Sequence, residues 1–269
     1  MDEKRSELNR PLRVVVFSGG PVLERGVKEF LRRLEDHPEI DLLACFCQSK
    51  NPSFSGVIYD LWRRRQLLAI PLLIARVLGR LADFLSRPID EFSLKRKLNR
   101  LSERIHYVPD IHGEAVLEAV RSLSPDLGLI YGAPILKPKL FQIPTCGTLG
   151  IHHGKVPDYR GKKTTFWAVY NREKTAGVTI QKVNAGLDTC DIVKQGEVPI
   201  DRQSLRAVWN GVHKLGLELY IQALLEIKRG NATFHPQTKG NGKLYRDPTA
   251  KDILRLWLRR TEGVNRIGE

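Results

Sequence analysis

Short β-branched runs alternate along the chain with segments whose apolar residues recur every three or four positions. That alternation predicts an α/β fold, a mostly parallel sheet flanked by helices. Leu12–Phe17 (LRVVVF) reads as a strand that opens into Ser18-Gly19-Gly20-Pro21, and Val22, Val27, Phe30, Leu31 and Leu34 then fall on one helix face. Ile40–Phe46 is the second strand, completing a β-α-β unit whose continuous apolar runs suit strands covered on both faces. The rhythm resumes with a short strand at His106–Pro109, a helix over Gly113–Leu123 and a buried strand at Asp126–Tyr131. A strand at Thr148–His152, a helix at Thr164–Tyr170 and an alternating strand at Gly177–Val183 follow. Ser204–Lys228 is a long amphipathic helix beginning at a hydroxyl cap. From Gly230 the chain is polar and turn-rich until Ala250–Arg260, a last short helix.

Val57–Arg104 breaks this pattern. It is Leu-rich with helical spacing and holds eleven basic against five acidic residues, so it reads as a basic helical insertion of one or two amphipathic helices. Trp62-Arg63-Arg64-Arg65 followed by Leu67–Leu85 resembles an interfacial helix with cationic flanks, which would give peripheral contact with a membrane face. Packing against the sheet, or a homodimer contact, accounts for the same Leu-rich helices. The longest apolar run, Leu67–Ala75, is broken by Pro71 and falls far short of the ~20 residues that span a bilayer.

Charge narrows the partners. The 269 residues carry 44 Lys and Arg against 30 Asp and Glu, a formal charge of +14, which favours an anionic small molecule, nucleic acid or acidic surface. The cations are spread, and only 63–65 is dense, so no specific nucleic-acid interface is expected. Cys45, Cys47, Cys146 and Cys190 form no CxxC pair, which predicts no disulfide framework, no zinc site and a reducing compartment. Met1–Pro11 is charged and has no apolar h-region, so the expected location is cytoplasmic.

The candidate chemistry lies between Asp126 and Val193. Gly150-Ile151-His152-His153-Gly154 puts two histidines at a strand end, where open α/β sheets place their ligands. Pro157-Asp158-Tyr159-Arg160-Gly161 is a stiff turn, and Ala185-Gly186-Leu187-Asp188-Thr189-Cys190-Asp191 an acidic loop. A histidine at a strand end and a carboxylate in a loop are the parts of a proton-transfer site. A core histidine and a solvated turn explain the same letters. Ser18-Gly19-Gly20 could form an anion nest or an ordinary strand-to-helix turn.

These stretches resemble the formyltransferase family that includes methionyl-tRNA, glycinamide ribonucleotide and sugar N-formyltransferases. The family pattern is Asn-x-His, a Leu-Pro-x-x-Arg-Gly turn, a Gly-Val-Thr strand and a Gly-x-Asp loop. The chain supplies His152, Val156-Pro157-Asp158-Tyr159-Arg160-Gly161, Gly177-Val178-Thr179 and Gly186-Leu187-Asp188. The resemblance implies the Rossmann-like formyltransferase fold and 10-formyltetrahydrofolate as formyl donor. It implies that Pro134, Ile135 and Leu136, with Gly186 and Leu187, hold the folate, and that His152 and Asp188 carry the catalysis. Ser18, Gly19, Gly20 and Arg160 would face the acceptor. The family's asparagine falls at Gly150, which has no side chain to donate, so His153 or Lys155 would have to replace it as an oxyanion donor.

The expected acceptor is an amino sugar on a nucleotide or lipid carrier. The doubled histidine also resembles formyltetrahydrofolate deformylase, which keeps hydrolysis open, and Gly150 keeps an impaired binding protein open. Residues 1–269 read as one catalytic domain containing the 57–104 insertion, with 230–269 a short extension that lacks the strand run of a tRNA-binding barrel.

Overall fold

The computed structural model of the protein describes residues 10–20, 23–49, 101–184, 191–201, 204–237 and 242–265, with side chains as far as Arg259. The 57–104 insertion therefore lies almost wholly outside the described residues, as do Gly186, Leu187 and Asp188. Contacts divide the chain into two compact units, residues 1–50 with 99–245, and residues 51–98 with 246–269.

The first unit is built on a seven-stranded sheet. Its strands are β1 (Leu12–Gly19), β2 (Ile40–Gln48), β3 (Ile105–Val108), β4 (Leu127–Ile130), β5 (Thr148–His152), β7 (Thr175–Lys182) and β8 (Ile192–Pro199), in the order β3-β2-β1-β4-β5-β7-β8. β1 to β5 run parallel, whereas β7 is antiparallel to both β5 and β8. The helices are α1 (Arg25–Glu35), α2 (Glu114–Leu123), α3 (Pro138–Phe141), α4 (Thr164–Tyr170) and α5 (Leu205–Lys228).

Period-two geometry explains the continuous apolar reading of β1. Val14 and Val16 pack with Phe30, Leu31 and Leu34 of α1 and Leu217, Tyr220 and Leu224 of α5. Val15 and Phe17 point to the other face, against Val116, Leu117 and Val120 of α2 and Leu140 and Phe141 of α3. Each such large side chain, wholly withdrawn from water, contributes roughly 1.5–3 kcal/mol. The Ser204 hydroxyl caps α5 by accepting from the Ala207 amide at 3.1 Å, as the sequence predicts. Asp126 ties β1 to β4 at the end remote from the histidines, accepting from Arg10 (2.7 and 2.8 Å) and from the Arg13 amide.

Three strands escaped the sequence reading. β8 buries only Val193, because it is an edge strand whose outward positions are polar. β6 (Tyr159–Gly161) lies within the expected turn and pairs in parallel with β9 (Lys243–Tyr245) as a separate two-stranded sheet. Residues 230–245, expected as the start of an extension, thus fold with the first unit, and His235 also bridges to Ile192.

In the second unit the described part is α6 (Ala250–Asn265) and the turn before it. Asp252 accepts from the Thr249 amide (2.9 Å) while its own amide donates to the Thr249 hydroxyl (3.2 Å), a reciprocal cap that fixes the start of the helix. No helix among the described residues is long and apolar enough to cross a membrane.

Candidate active site

The order of the parallel strands reverses between β1 and β4, so their carboxyl ends open a crevice at the switch point. Glycine decides how closely the two loops meet there. A Cβ on Gly19 would stand 3.1 Å from the Pro134 ring and 3.3 Å from the Gly132 carbonyl. Gly132 itself turns in the left-handed region, with φ of +69°. Among the described residues no backbone hydrogen bond engages Gly132 to Leu136, which leaves a run of amides and carbonyls facing away from any ladder. Ile135 is 77% exposed, whereas Leu136 anchors the loop in the core.

The expected anion nest is only partly available. The Gly20 amide is committed to the Gln48 carbonyl at 3.0 Å. Ser18 is wholly buried, and its hydroxyl oxygen makes no hydrogen bond.

β5 delivers His152 one strand further along. The residue is buried, and its Nε2 lies 2.7 Å from the Tyr159 carbonyl oxygen. A carbonyl only accepts, so Nε2 carries the hydrogen and the tautomer is set. This contact depends on Gly154, because a Cβ there would sit 2.6 Å from His152 Nε2 and 2.6 Å from the Tyr159 oxygen. The turn is pinned from the antiparallel side. Thr179 of β7 donates to the Gly154 carbonyl (2.8 Å), and Gln195 of β8 donates to the Val156 carbonyl (2.9 Å) and to the Thr179 hydroxyl (3.0 Å). Gly177 lets the turn lie on β7, since a Cβ there would meet Lys155 at 2.7 Å. The Gly-Val-Thr stretch thus has a mechanical role: it seats the turn that holds the histidine.

Tyr159 is itself clamped. Its ring stacks on Tyr245 at 4.9 Å, and its hydroxyl donates to Glu173 (2.7 Å) and accepts from Asn171 (3.0 Å). Arg160, expected on the acceptor side, donates to the Gly242 carbonyl at 2.7 Å and so ties the turn to the strand β9. Its Nε is buried with no hydrogen-bond partner.

His153 goes the other way. Its ring stacks with Trp209 (6.3 Å) and His213 (6.2 Å) and meets Tyr131 edge-on at 6.0 Å. Its Nε2 is shut off from water and has no hydrogen-bond partner. Burial, reinforced by His213 and His152, pushes its pKa down to about 3, so the ring is neutral. His213 accepts or shares a proton with the Tyr131 hydroxyl at 2.6 Å through Nδ1, and its Nε2 stands 3.4 Å from Glu29 without hydrogen-bond geometry. Its pKa is lowered as well, chiefly by burial. The carbonyl of His153 accepts from Thr164 and Thr165 of α4.

Gly150 pairs with Ile130 and Gln181 in the sheet. A Cβ at this position would meet nothing closer than 3.5 Å, so the place of the family's asparagine is sterically open at its first atom. A cleft of about 220 Å³ adjoins the turn, lined by His153, Gly154, Lys155, Tyr159, Glu173 and Thr175 among others. Neither His152 nor the Gly132–Leu136 loop borders it.

The structure brings Gly19 to Pro134 and places His152 and His153 on opposite sides of one strand end. Sequence reasoning missed Gly154, Tyr159, Gln195, Trp209 and His213. For the last two a signal exists: their i, i+4 spacing puts them on one face of α5.

The formyl transferase family model matches residues 90–224, half of the chain. The chain belongs to the formyl transferase family. Among its relatives is the methionyl-tRNA formyltransferase of Thermodesulfovibrio yellowstonii, 31% identical over 153 residues, covering 52% of this chain and 49% of that protein. The chain spans about half the length of the curated relatives it matches. The fold is shared with a sugar N-formyltransferase from a Shewanella species, at a TM-score of 0.57 and 15% identity, covering 92% of this chain and 87% of that one. It is shared too with HypX from Aquifex aeolicus, solved in complex with tetrahydrofolic acid, at a TM-score of 0.57 and 15% identity over 91% of this chain and 33% of that one.

Proposed function

We propose that the protein transfers the formyl group of 10-formyltetrahydrofolate to the amine of a nucleotide- or lipid-linked amino sugar. One observation carries the reading: within the family's motif, His152 ends β5 with its Nε2 hydrogen fixed on the Tyr159 carbonyl. The Gly132–Leu136 loop suits a flat heterocycle that hydrogen-bonds along its edges, since its own amides and carbonyls make no backbone hydrogen bond among the described residues. Gly186 and Leu187 would complete the folate side. HypX, which has this fold, binds tetrahydrofolic acid, and the sugar N-formyltransferase matches this chain along most of both lengths.

Bound 10-formyltetrahydrofolate would supply an activated formyl carbon to an attacking amine. With Nε2–H committed to Tyr159, the chemistry of His152 falls to Nδ1. There it would accept the proton released by the attacking amine and pass it to the developing oxyanion. Asp188 would position that ring or a water and move the proton from the amine towards the leaving nitrogen. His153, neutral and turned into an aromatic stack, is a poor substitute for the missing asparagine. Lys155 is held in an ion pair with Glu197, which leaves a backbone amide or the acceptor itself as the second donor.

The test is folate turnover by absorbance with nucleotide-linked amino sugars, with methionyl-tRNA and without acceptor. Sugar-dependent turnover is expected, with His152→Ala and Asp188→Ala each lowering it by about a thousandfold in a chain that still folds. Full activity in both variants overturns the site. Turnover without acceptor makes the protein a hydrolase, and turnover with methionyl-tRNA alone replaces the sugar. Gly150→Asn, which has room at Cβ, is expected to raise turnover.

A further inference from the structure

The helix α6 carries an apolar stripe that the catalytic reading leaves unused. Ile253, Leu254, Trp257 and Leu258 are 40, 55, 61 and 44% exposed, an unusual concentration of large apolar surface on a helix of a strongly charged protein. At 100° per residue these four positions span an arc of about 140°, and Leu256, which is buried, falls outside it. Lys251, Arg255 and Arg259 follow one another at i, i+4 along the flank of the same stripe. The only acidic residue from Ala250 to Arg259, Asp252, is used in capping the helix.

We propose that this face of α6 is a docking surface for an anionic lipid bilayer, lying in the interface with its apolar residues in the acyl boundary and its cations at the headgroups. Charge complementarity selects this occupant. A bilayer containing acidic lipid neutralises Lys251 and Arg255 while covering the stripe. A second copy docked face to face would set two such pairs against each other on a chain of net charge +14. RNA would neutralise the cations and leave three aliphatic side chains in water. Trp257 suits the boundary, because an indole buries its rings and still presents its N–H to the headgroups.

The full-length protein is sedimented with vesicles of phosphatidylcholine and with vesicles in which a third of the lipid is phosphatidylglycerol. Binding is expected to the anionic vesicles, at low salt and without folate or acceptor, with a blue shift of tryptophan emission that Trp257→Phe removes. The double variant Leu254→Glu/Trp257→Glu is expected to lower partitioning at least about tenfold. Lys251→Ala and Arg255→Ala are each expected to lower it about fivefold. All four positions lie on the surface, and the folate-turnover assay reports whether the first unit stays folded. Undiminished binding by the Leu254→Glu/Trp257→Glu variant overturns the proposal and moves the contact elsewhere in the chain. Equal binding to phosphatidylcholine alone removes its electrostatic half. A change in the sedimentation coefficient of the lipid-free protein caused by the same variant would assign the stripe to self-association, and loss of RNA binding without loss of vesicle binding would assign it to nucleic acid.

Discussion

At the end of β5 the chain sends His152 to one side and His153 to the other, and the two surroundings have little in common. On the first side the histidine and its turn are held by hydrogen bonds: the Tyr159 carbonyl on Nε2, Thr179 on the Gly154 carbonyl, Gln195 on Val156. On the second side rings stack on rings, with Trp209 and His213 parallel at 5.1 Å, and two imidazole nitrogens make no hydrogen bond at all. The polar side fixes a tautomer. The aromatic side holds its histidines neutral. A histidine's role is set by what receives its hydrogens, and here one strand end provides both outcomes within two residues.

The sharpest way to break this comparison is Gly154→Ala. The new Cβ overlaps both partners of the His152 contact, so turnover is expected to fall by about a hundredfold or more and stability by about 1–3 kcal/mol. Steady-state kinetics with a thermal melt checks this, and unchanged kinetics would mean that the Tyr159 contact does not serve catalysis. Thr179→Val removes the hydroxyl that holds the turn while keeping the volume. It leaves the Gly154 carbonyl without that donor, at a cost of about 1–3 kcal/mol, and activity is expected to drop by about tenfold. Equal melting temperatures in the two proteins would show that the turn is held without it.

The smallest effect sharpens the other side. Burial lowers the pKa values of His153 and His213, so below the unfolded value of about 6.5 the unfolded chain takes up protons that the folded chain refuses. Their contribution to stability is therefore complete above about pH 6.5 and is lost as the pH falls. At pH 5.5 the loss is about 1 kcal/mol for His153. His153→Gln is expected to flatten the fall in unfolding free energy between pH 7 and pH 5, measured by denaturant titration. An identical slope in the variant would place the effect with other groups.

The parallel half of the fold was legible because both faces of β1, β2 and β4 are covered, so their apolar runs are unbroken. The antiparallel edge was less so. β8 reads IVKQGEVP; only Val193 is buried, and Lys194, Gln195 and Glu197 interrupt any apolar run. β6 and β9 are three residues each and find each other across the sequence, which no local pattern announces. Within the site, His152 could be read from its motif, but its partner could not, since a backbone carbonyl has no letter of its own. Gly154 carries no mark of its role in the sequence, and its necessity arises only when Tyr159 folds back over it.

The bond from Arg160 to Gly242 reaches across 82 positions, and beside it β9 lies along β6. The turn around His152 is therefore backed by a segment that follows every strand of the main sheet and the whole of α5 in the chain. The turn that fixes the histidine is thus braced by contacts of long sequence separation, whose closure costs more chain entropy than a local turn does.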